Sequence, residues 1–471
     1  MTEQPRTRQD IYDRIRQTSK DEFILDEMIR LGFWAAQGEI PNDPADEIRR
    51  RGDIQRELDT LRAENRRLHD EEALKKAALK LRMAESRRKQ QETKERRERE
   101  RQARAAAWRV QQQQEIGYLG EGVSAGLNFT ASDLDRLQQQ RLPILHTAAD
   151  LAIAMGITIG QLRFLAFSRR IATISHYIHF QIPKKTGGVR EISAPLPRLK
   201  QAQQWILDQI LDQIVLHPTA HGFRRGRSIV TNAQPHVGAA VVINLDLQNF
   251  FPSISYNRVK GIFRSLGYSE AIATILGLIC TEPDVTAVEL DGKTYYIAQN
   301  QRHLPQGAPS SPALTNLLCR RLDRRLDGMA TSRGYTYTRY ADDLTFSTTD
   351  RDKLREIGNI LQGTNGIVTH EGLTIHPTKT RVLRQSQQQE VTGVIVNHKL
   401  NVDRTTLRKF RATLYQIEKD GLAGKQWGQG ADLLQSILGF ANYVAMVNPT
   451  KGSEFLAIVH RIQKKYAKRR R

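Results

Sequence analysis

The stretch GYTYTRYADDLTFSTTD (residues 334–350) carries the reading of the fold. Residues alternate in YTYTRY before Asp342 and in LTFST after Asp343, the period-2 signature of two antiparallel strands joined by a tight turn. Asp342 and Asp343 then project off one edge. Aspartate is an ordinary turn residue, so the dipeptide alone decides nothing. A further acid changes the reading: Asp246 closes the apolar run AAVVINLD (239–246), where a buried strand would take another hydrophobe. Three carboxylates at strand ends repel one another unless cations lie between them. Hard oxygen donors without imidazole or thiolate point to Mg²⁺. Two such ions, about 3.5–4 Å apart, suit nucleotidyl transfer, activating a 3′-hydroxyl and stabilising the leaving pyrophosphate.

The surrounding composition agrees with a polyanionic partner. Lys and Arg outnumber Asp and Glu by 72 to 51 in 471 residues, a net charge of +21, which suits nucleic acid. Only Cys280 and Cys319 are present, with no CxxC, so neither a disulfide framework nor a zinc site is supported, and a reducing, cytoplasmic setting fits. The longest apolar runs, such as AIATILGLIC (271–280), fall short of a bilayer span, and no membrane association is expected.

Along the chain, residues 1–45 read as an N-terminal helical segment, with Phe23, Ile24, Met28, Ile29 and Leu31 to Trp34 at roughly helical spacing before the GEIPNDP breaker. Residues 46–116 read as a charged helix with coiled-coil character: Ile54, Leu61 and Leu68 repeat at seven, with Leu58 alongside. From Lys75 to Arg109, 14 Lys/Arg face 5 Asp/Glu, with no Gly or Pro. Either a solvated helix or an arm binding RNA or a partner protein fits this run. Gly-rich 117–139 reads as a linker. Residues 140–219, 220–395 and 396–471 are globular. They contain a hairpin turning at Gly187–Gly188, single helices over about 257–279 and 310–328, a hairpin near 287–298, and closing helices with Leu407, Phe410, Leu414 and Ile417 on one face.

The order of motifs resembles the reverse transcriptase palm over roughly residues 140–400. NLDLQNFFPSI (244–254), LPQGAPSSP (304–312) and YADD (340–343) resemble its three palm motifs, in order. The resemblance implies an α+β right-hand polymerase of fingers (140–219), palm (220–395) and thumb (396–471) behind an N-terminal helical and coiled-coil extension. It implies catalysis by Asp246, Asp342 and Asp343, with Asp246 and Asp342 as ligands to both Mg²⁺ ions, the Leu247 carbonyl facing a metal, and Asp343 in support.

Phe251 matches the family's aromatic gate against a ribose 2′-hydroxyl, with Phe250 beside it as the candidate core ring, and Gln306 offers an amide to the nucleotide. Lys184, Lys185 and Arg190 lie on a hairpin where cations clamp a triphosphate. Lys379 occupies the position of the family's general acid, while His376 stands where relatives often carry Asn.

AHGFRRGRSIVTNAQPHVG (220–238) resembles retron reverse transcriptases, including their Asn-Ala-x-x-His signature at Asn232–His236; Val391, Thr392 and Gly393 match their Val-Thr-Gly signature. As RNA contacts, Arg224, Arg225 and Arg227 offer charge, Phe223 a stacking ring, and Asn232 and His236 groups to read a base. The simpler readings are a helix cap at Asn232 and a strand at 391–397. The resemblance implies a cognate non-coding RNA as template and primer, dNTPs, a single-stranded DNA product branched from an RNA 2′-hydroxyl, and anti-phage defence with an effector protein, for which the extension is a candidate contact. A group II intron-like enzyme is one competing reading, opposed by the lack of a maturase or endonuclease segment after the thumb. The other, a non-catalytic RNA-binding protein on a polymerase fold, is opposed by the intact aspartates.

Overall fold

The computed structural model describes residues 7–34, 44–65, 72–184, 187–299, 301–428, 430 and 432–467. It divides into two compact units, residues 1–106 and 107–471.

In the first unit, Arg8–Gln17 and Lys20–Arg30 are helices opened by capping boxes at Thr7 and Ser19. Pro44–Asn65 follows, and then Glu72–Gln114, one 43-residue helix whose last residues, 107–114, belong to the second unit. Glu22 ties the early helices together: its carboxylate accepts from Arg56 at 3.0 and 3.2 Å, and this partner holds its pKa low. Ile54 and Leu61 of the heptad row are each 59% exposed in the single chain, and Leu68 falls outside the described residues.

The second unit is built around a four-stranded antiparallel sheet ordered Thr336–Tyr340, Asp343–Thr348, Val241–Asp246, Arg381–Arg384. Its two faces separate by side-chain period. Val241, Ile243 and Leu245 join Leu322, Leu326, Tyr337, Phe346, Ile360 and Val368 in one core, under helices Arg320–Ser332 and Ile357–His370. Val242 faces the other way, into a cluster with Val391, Val394 and the last helices. There Leu407, Phe410, Leu414 and Ile417 are all buried, and Phe410 packs against Trp427, Phe440 and Phe455 at ring distances of 4.6–5.1 Å.

A third core gathers helices Ala148–Ala154, Ile159–Ala166, Pro197–Gln209, Tyr256–Ser265 and Glu270–Cys280. From it projects the hairpin Tyr177–Pro183/Val189–Pro195, whose turn glycines Gly187 and Gly188 adopt φ of 88° and 80°. The hairpin Val285–Leu290/Lys293–Ala298 pairs with Ile171–Ala172.

Three expectations need correction. Residues 117–139 are not a free linker: Leu119 and Leu137 are completely buried in the third core, and a Cβ on Gly120 would meet the Ser168 carbonyl oxygen at 2.1 Å. The helix expected over 257–279 breaks at Leu266–Ser269, where Gly267 (φ 112°) packs on the Asp133 carbonyl. The helix expected over 310–328 is two, Ser311–Leu318 and Arg320–Ser332, divided at Cys319. Among the described residues no single helix is long and apolar enough to cross a membrane.

Candidate active site

Strand register brings the acids together. Asp246 pairs directly with Asp343, Asn244 with Thr345, and Val242 with Ser347, so these six residues share one face. Asp342 occupies the turn between Tyr340 and Asp343, and its carbonyl accepts from Leu247 N–H at 3.0 Å, drawing the Leu247 backbone alongside. From the far side His376 N–H donates to the Asp246 carbonyl at 2.7 Å.

Like charges directly across a sheet oppose each other, and the ionisation reflects it. Burial, then the neighbouring carboxylates of Asp342 and Asp246, push Asp343 up to about 7. Asp342 is also raised, by burial and by Asp246, while Lys379 and Arg190 pull it back. The Lys379 ammonium meets this charge directly, at 3.0 and 3.1 Å from the two Asp246 oxygens. Among the described residues no three Asp, Glu, His or Cys side chains have closed around one point. The donor set nevertheless fits a hard divalent cation: it is all oxygen, crowded enough to resist ionising, and accompanied by an ammonium drawn to the place where positive charge is wanted.

Of the nucleotide candidates, Arg190 lies near enough to Asp342 to pull its carboxyl down. Phe250 is buried in the palm core, whereas Phe251 stays half-buried, 5.7 Å from the Phe250 ring and 6.3 Å from that of Phe223. Gln306 lies on the loop before Ser311–Leu318, and its carbonyl accepts from Ser193 N–H at 2.9 Å. Gly307 (φ 137°) packs there too closely for a side chain, with Ser193 O 2.9 Å from a would-be Cβ. Arg190 and Lys184 are exposed on the projecting hairpin; Lys185 lies outside the described residues.

The expected RNA contacts divide. Phe223, Arg225 and Arg227 are exposed, although Arg225 pairs with Asp212 at 3.0 Å and Arg224 donates inward to the His217 carbonyl at 3.1 Å. Asn232 and His236 cannot read a base, because both are completely buried. His236 bridges the sheet, contacting Ser347 Oγ at 2.6 Å and Thr338 Oγ1 at 2.8 Å. Asn232 Nδ2 donates to Thr392 Oγ1 at 3.4 Å, so the two signatures meet each other. Val391 is core, and Thr392 and Gly393 form the turn of a short hairpin, both at positive φ. Gly393 O accepts from the Tyr443 hydroxyl at 3.0 Å. These residues form a joint between palm and thumb.

The structure adds positioning residues that sequence reasoning missed. Arg339 and Asp323 form a fully buried ion pair at 2.8 Å, and Tyr337 Oη also donates to Asp323. Arg339 Nη1 donates to the Ala341 carbonyl and to Asn316 Oδ1, both at 3.0 Å; Asn316 Nδ2 in turn donates to the Gly222 carbonyl at 2.9 Å. Gly222 lies against the turn so closely that a Cβ would stand 2.4 Å from Ala341 N. The available signal was Arg339 itself, a cation at a core-facing strand position in period with Tyr335 and Tyr337.

Comparison with known proteins agrees with this geometry. Residues 182–396 match the family described as reverse transcriptase (RNA-dependent DNA polymerase). The chain is 40% identical over 370 residues to the retron Mx162 reverse transcriptase of Myxococcus xanthus, covering 74% of this chain and 75% of the relative. Against the retron Mx65 enzyme of the same organism it is 41% identical, covering 67% and 72%. Against the retron Ec86 enzyme of Escherichia coli it is 33% identical, covering 71% and 94%. A right-hand polymerase sheet with its acids in register, joined to these likenesses, places the chain among the retron reverse transcriptases, RNA-directed DNA polymerases.

Proposed function

We propose that this polymerase copies a cognate structured non-coding RNA, starting from an RNA 2′-hydroxyl and leaving branched RNA joined to single-stranded DNA, and that it serves anti-phage defence with an effector protein in the cytoplasm. The register of Asp246 with Asp343 beside the Asp342 turn is the observation that supports the chemistry most directly. Divalent metal ions are the family's cofactor, and our reading is two Mg²⁺ held by Asp246, Asp342 and the Leu247 carbonyl with Asp343 in support. Bound there, they would activate the attacking hydroxyl and offset charge on the pyrophosphate.

The chain's own groups do the rest. Arg190, with Lys184 and Lys185, holds the triphosphate by charge-assisted hydrogen bonds. Gln306 orients the nucleotide, and the half-buried Phe251 ring fills the space a ribose 2′-hydroxyl would need. Lys379, whose ammonium rests on Asp246 at the edge of the site, is the group placed to protonate the leaving pyrophosphate. Exposed Phe223, Arg225 and Arg227 are the signature-region residues left to meet RNA.

Replacing Asp342→Asn together with Asp343→Asn is expected to lower RNA-templated DNA synthesis at least about 100-fold, the scale on which loss at a reacting centre acts; synthesis at the wild-type rate would overturn the site. Phe251→Ala is expected to reduce the preference for dNTP over rNTP, as a kcat/KM ratio, by about 10-fold or more. The branched product is tested separately: nucleic acid purified with the protein should shift in size on treatment with a 2′,5′-debranching enzyme. No shift would refute 2′-hydroxyl priming while leaving the polymerase assignment intact.

A further inference from the structure

The long helix Glu72–Gln114 is free of Gly and Pro, and its charges are unevenly arranged around it. Lys80, Arg87, Lys94 and Arg101 recur every seven residues, and all four are exposed. An α-helix drifts only about 20° per heptad, so they form one gently slanting row. At 1.5 Å per residue the cations stand about 10.5 Å apart and span about 32 Å.

Several other cations of this helix are engaged, while Lys75, Lys76, Lys89 and Arg97 stand, like the row, in no ion pair among the described residues. Arg88 pairs with Glu92 at 3.3 Å, Arg99 with Glu95 at 3.9 Å, Arg96 with Glu100 at 3.9 Å and Arg104 with Glu100 at 3.8 Å. Arg82 and Arg96 also reach the Pro44–Asn65 helix, at Gln55 and Glu47. Among the described residues no ion pair involves Lys80, Arg87, Lys94 or Arg101. Glu85 and Glu92 fall on the far side of the helix, Glu95 and Glu100 lie about 100° round from the row, and Glu98 lies within it, four residues after Lys94 and three before Arg101.

We propose that the row Lys80–Arg87–Lys94–Arg101 docks the phosphate backbone of an RNA duplex. A straight row of fixed spacing suits a rigid partner, and its length is comparable to one turn of duplex. The enzyme's template is RNA, so a base-paired stem of that molecule is the nearest source. The inference goes beyond the polymerase site and uses none of its residues.

The test is equilibrium binding of the full-length protein to a generic 20-base-pair RNA duplex over a range of salt. Each phosphate neutralised contributes about 0.9 to the slope of log affinity against log salt, so four contribute about 3.6. Lys80→Gln/Arg87→Gln/Lys94→Gln/Arg101→Gln, which keeps helix propensity, should lower the slope by about 3–4. Arg88→Gln/Arg96→Gln/Arg99→Gln/Arg104→Gln removes the same net charge from paired positions and should lower it by about 1 or less. DNA synthesis on a short generic primer–template should be unchanged in both. Equal losses in the two variants, or no loss in the first, would overturn the proposal. So would a loss confined to single-stranded DNA or to anionic phosphatidylserine vesicles, with duplex RNA binding retained.

Discussion

Ala341 holds a left-handed backbone, φ 56°, immediately before Asp342. An L-residue there costs about 1–2 kcal/mol, and Arg339 and Gly222 hold it from either side, the first by a hydrogen bond to its carbonyl and the second by contact with its nitrogen. Gly222→Ala must push that turn away, because the blocking atom is backbone. DNA synthesis is expected to fall about 10- to 100-fold, with KM for dNTP little changed and the melting temperature near wild type. Steady-state kinetics beside a thermal melt measures this. The aspartates were legible in the sequence because their chemistry leaves few alternatives. Their support was not, since Gly222, Asn316, Asp323 and Arg339 come from separate segments, and burial of an ion pair is a property of packing.

Strands were easier to read than helices. Period-2 alternation around residues 334–350 corresponds to two strands and the apolar run ending at Asp246 to a third, whereas the break at Gly267 depends on contact with Asp133. The Asn-Ala-x-x-His segment shows the same limit: its polar residues suggested RNA, but the fold turns them inward. There His236 joins two strands of the sheet, and burial followed by His221 pushes its imidazole down to about 3, from 6.5. It is therefore neutral when folded and takes up a proton on unfolding below pH 6.5. Its contribution is complete above 6.5 and declines as pH falls toward 3. The stability difference between wild type and His236→Asn, from urea unfolding, should shrink by about 1.4 kcal/mol per pH unit below 6.5. Buried Glu282, pushed up to about 7, has the opposite sign but is common to both proteins and cancels.

At the scale of the whole molecule, the division at residues 106 and 107 differs from the 139/140 boundary expected from composition. Glycine between 117 and 126 resembled a flexible connection, yet Ile116, Leu119 and Leu137 fill the third core. A chain beginning at residue 107 is expected to melt cooperatively and keep DNA synthesis. One beginning at 140 loses those three side chains, each worth about 2–5 kcal/mol against a total margin of about 5–15 kcal/mol, and should fail to melt cooperatively. Calorimetry of the two fragments distinguishes the outcomes.

The bracing of the catalytic turn also bears on how such enzymes are recombined. Gly222, Asn316, Asp323 and Arg339 are spread over more than a hundred positions but form one hydrogen-bonded set. A chimera that exchanges the Arg-rich loop with a relative, in the hope of transferring RNA preference, also exchanges one wall of the turn. Crossovers that move 220–340 as a block keep the set together; a crossover between Gly222 and Asn316 separates residues that have to be inherited together.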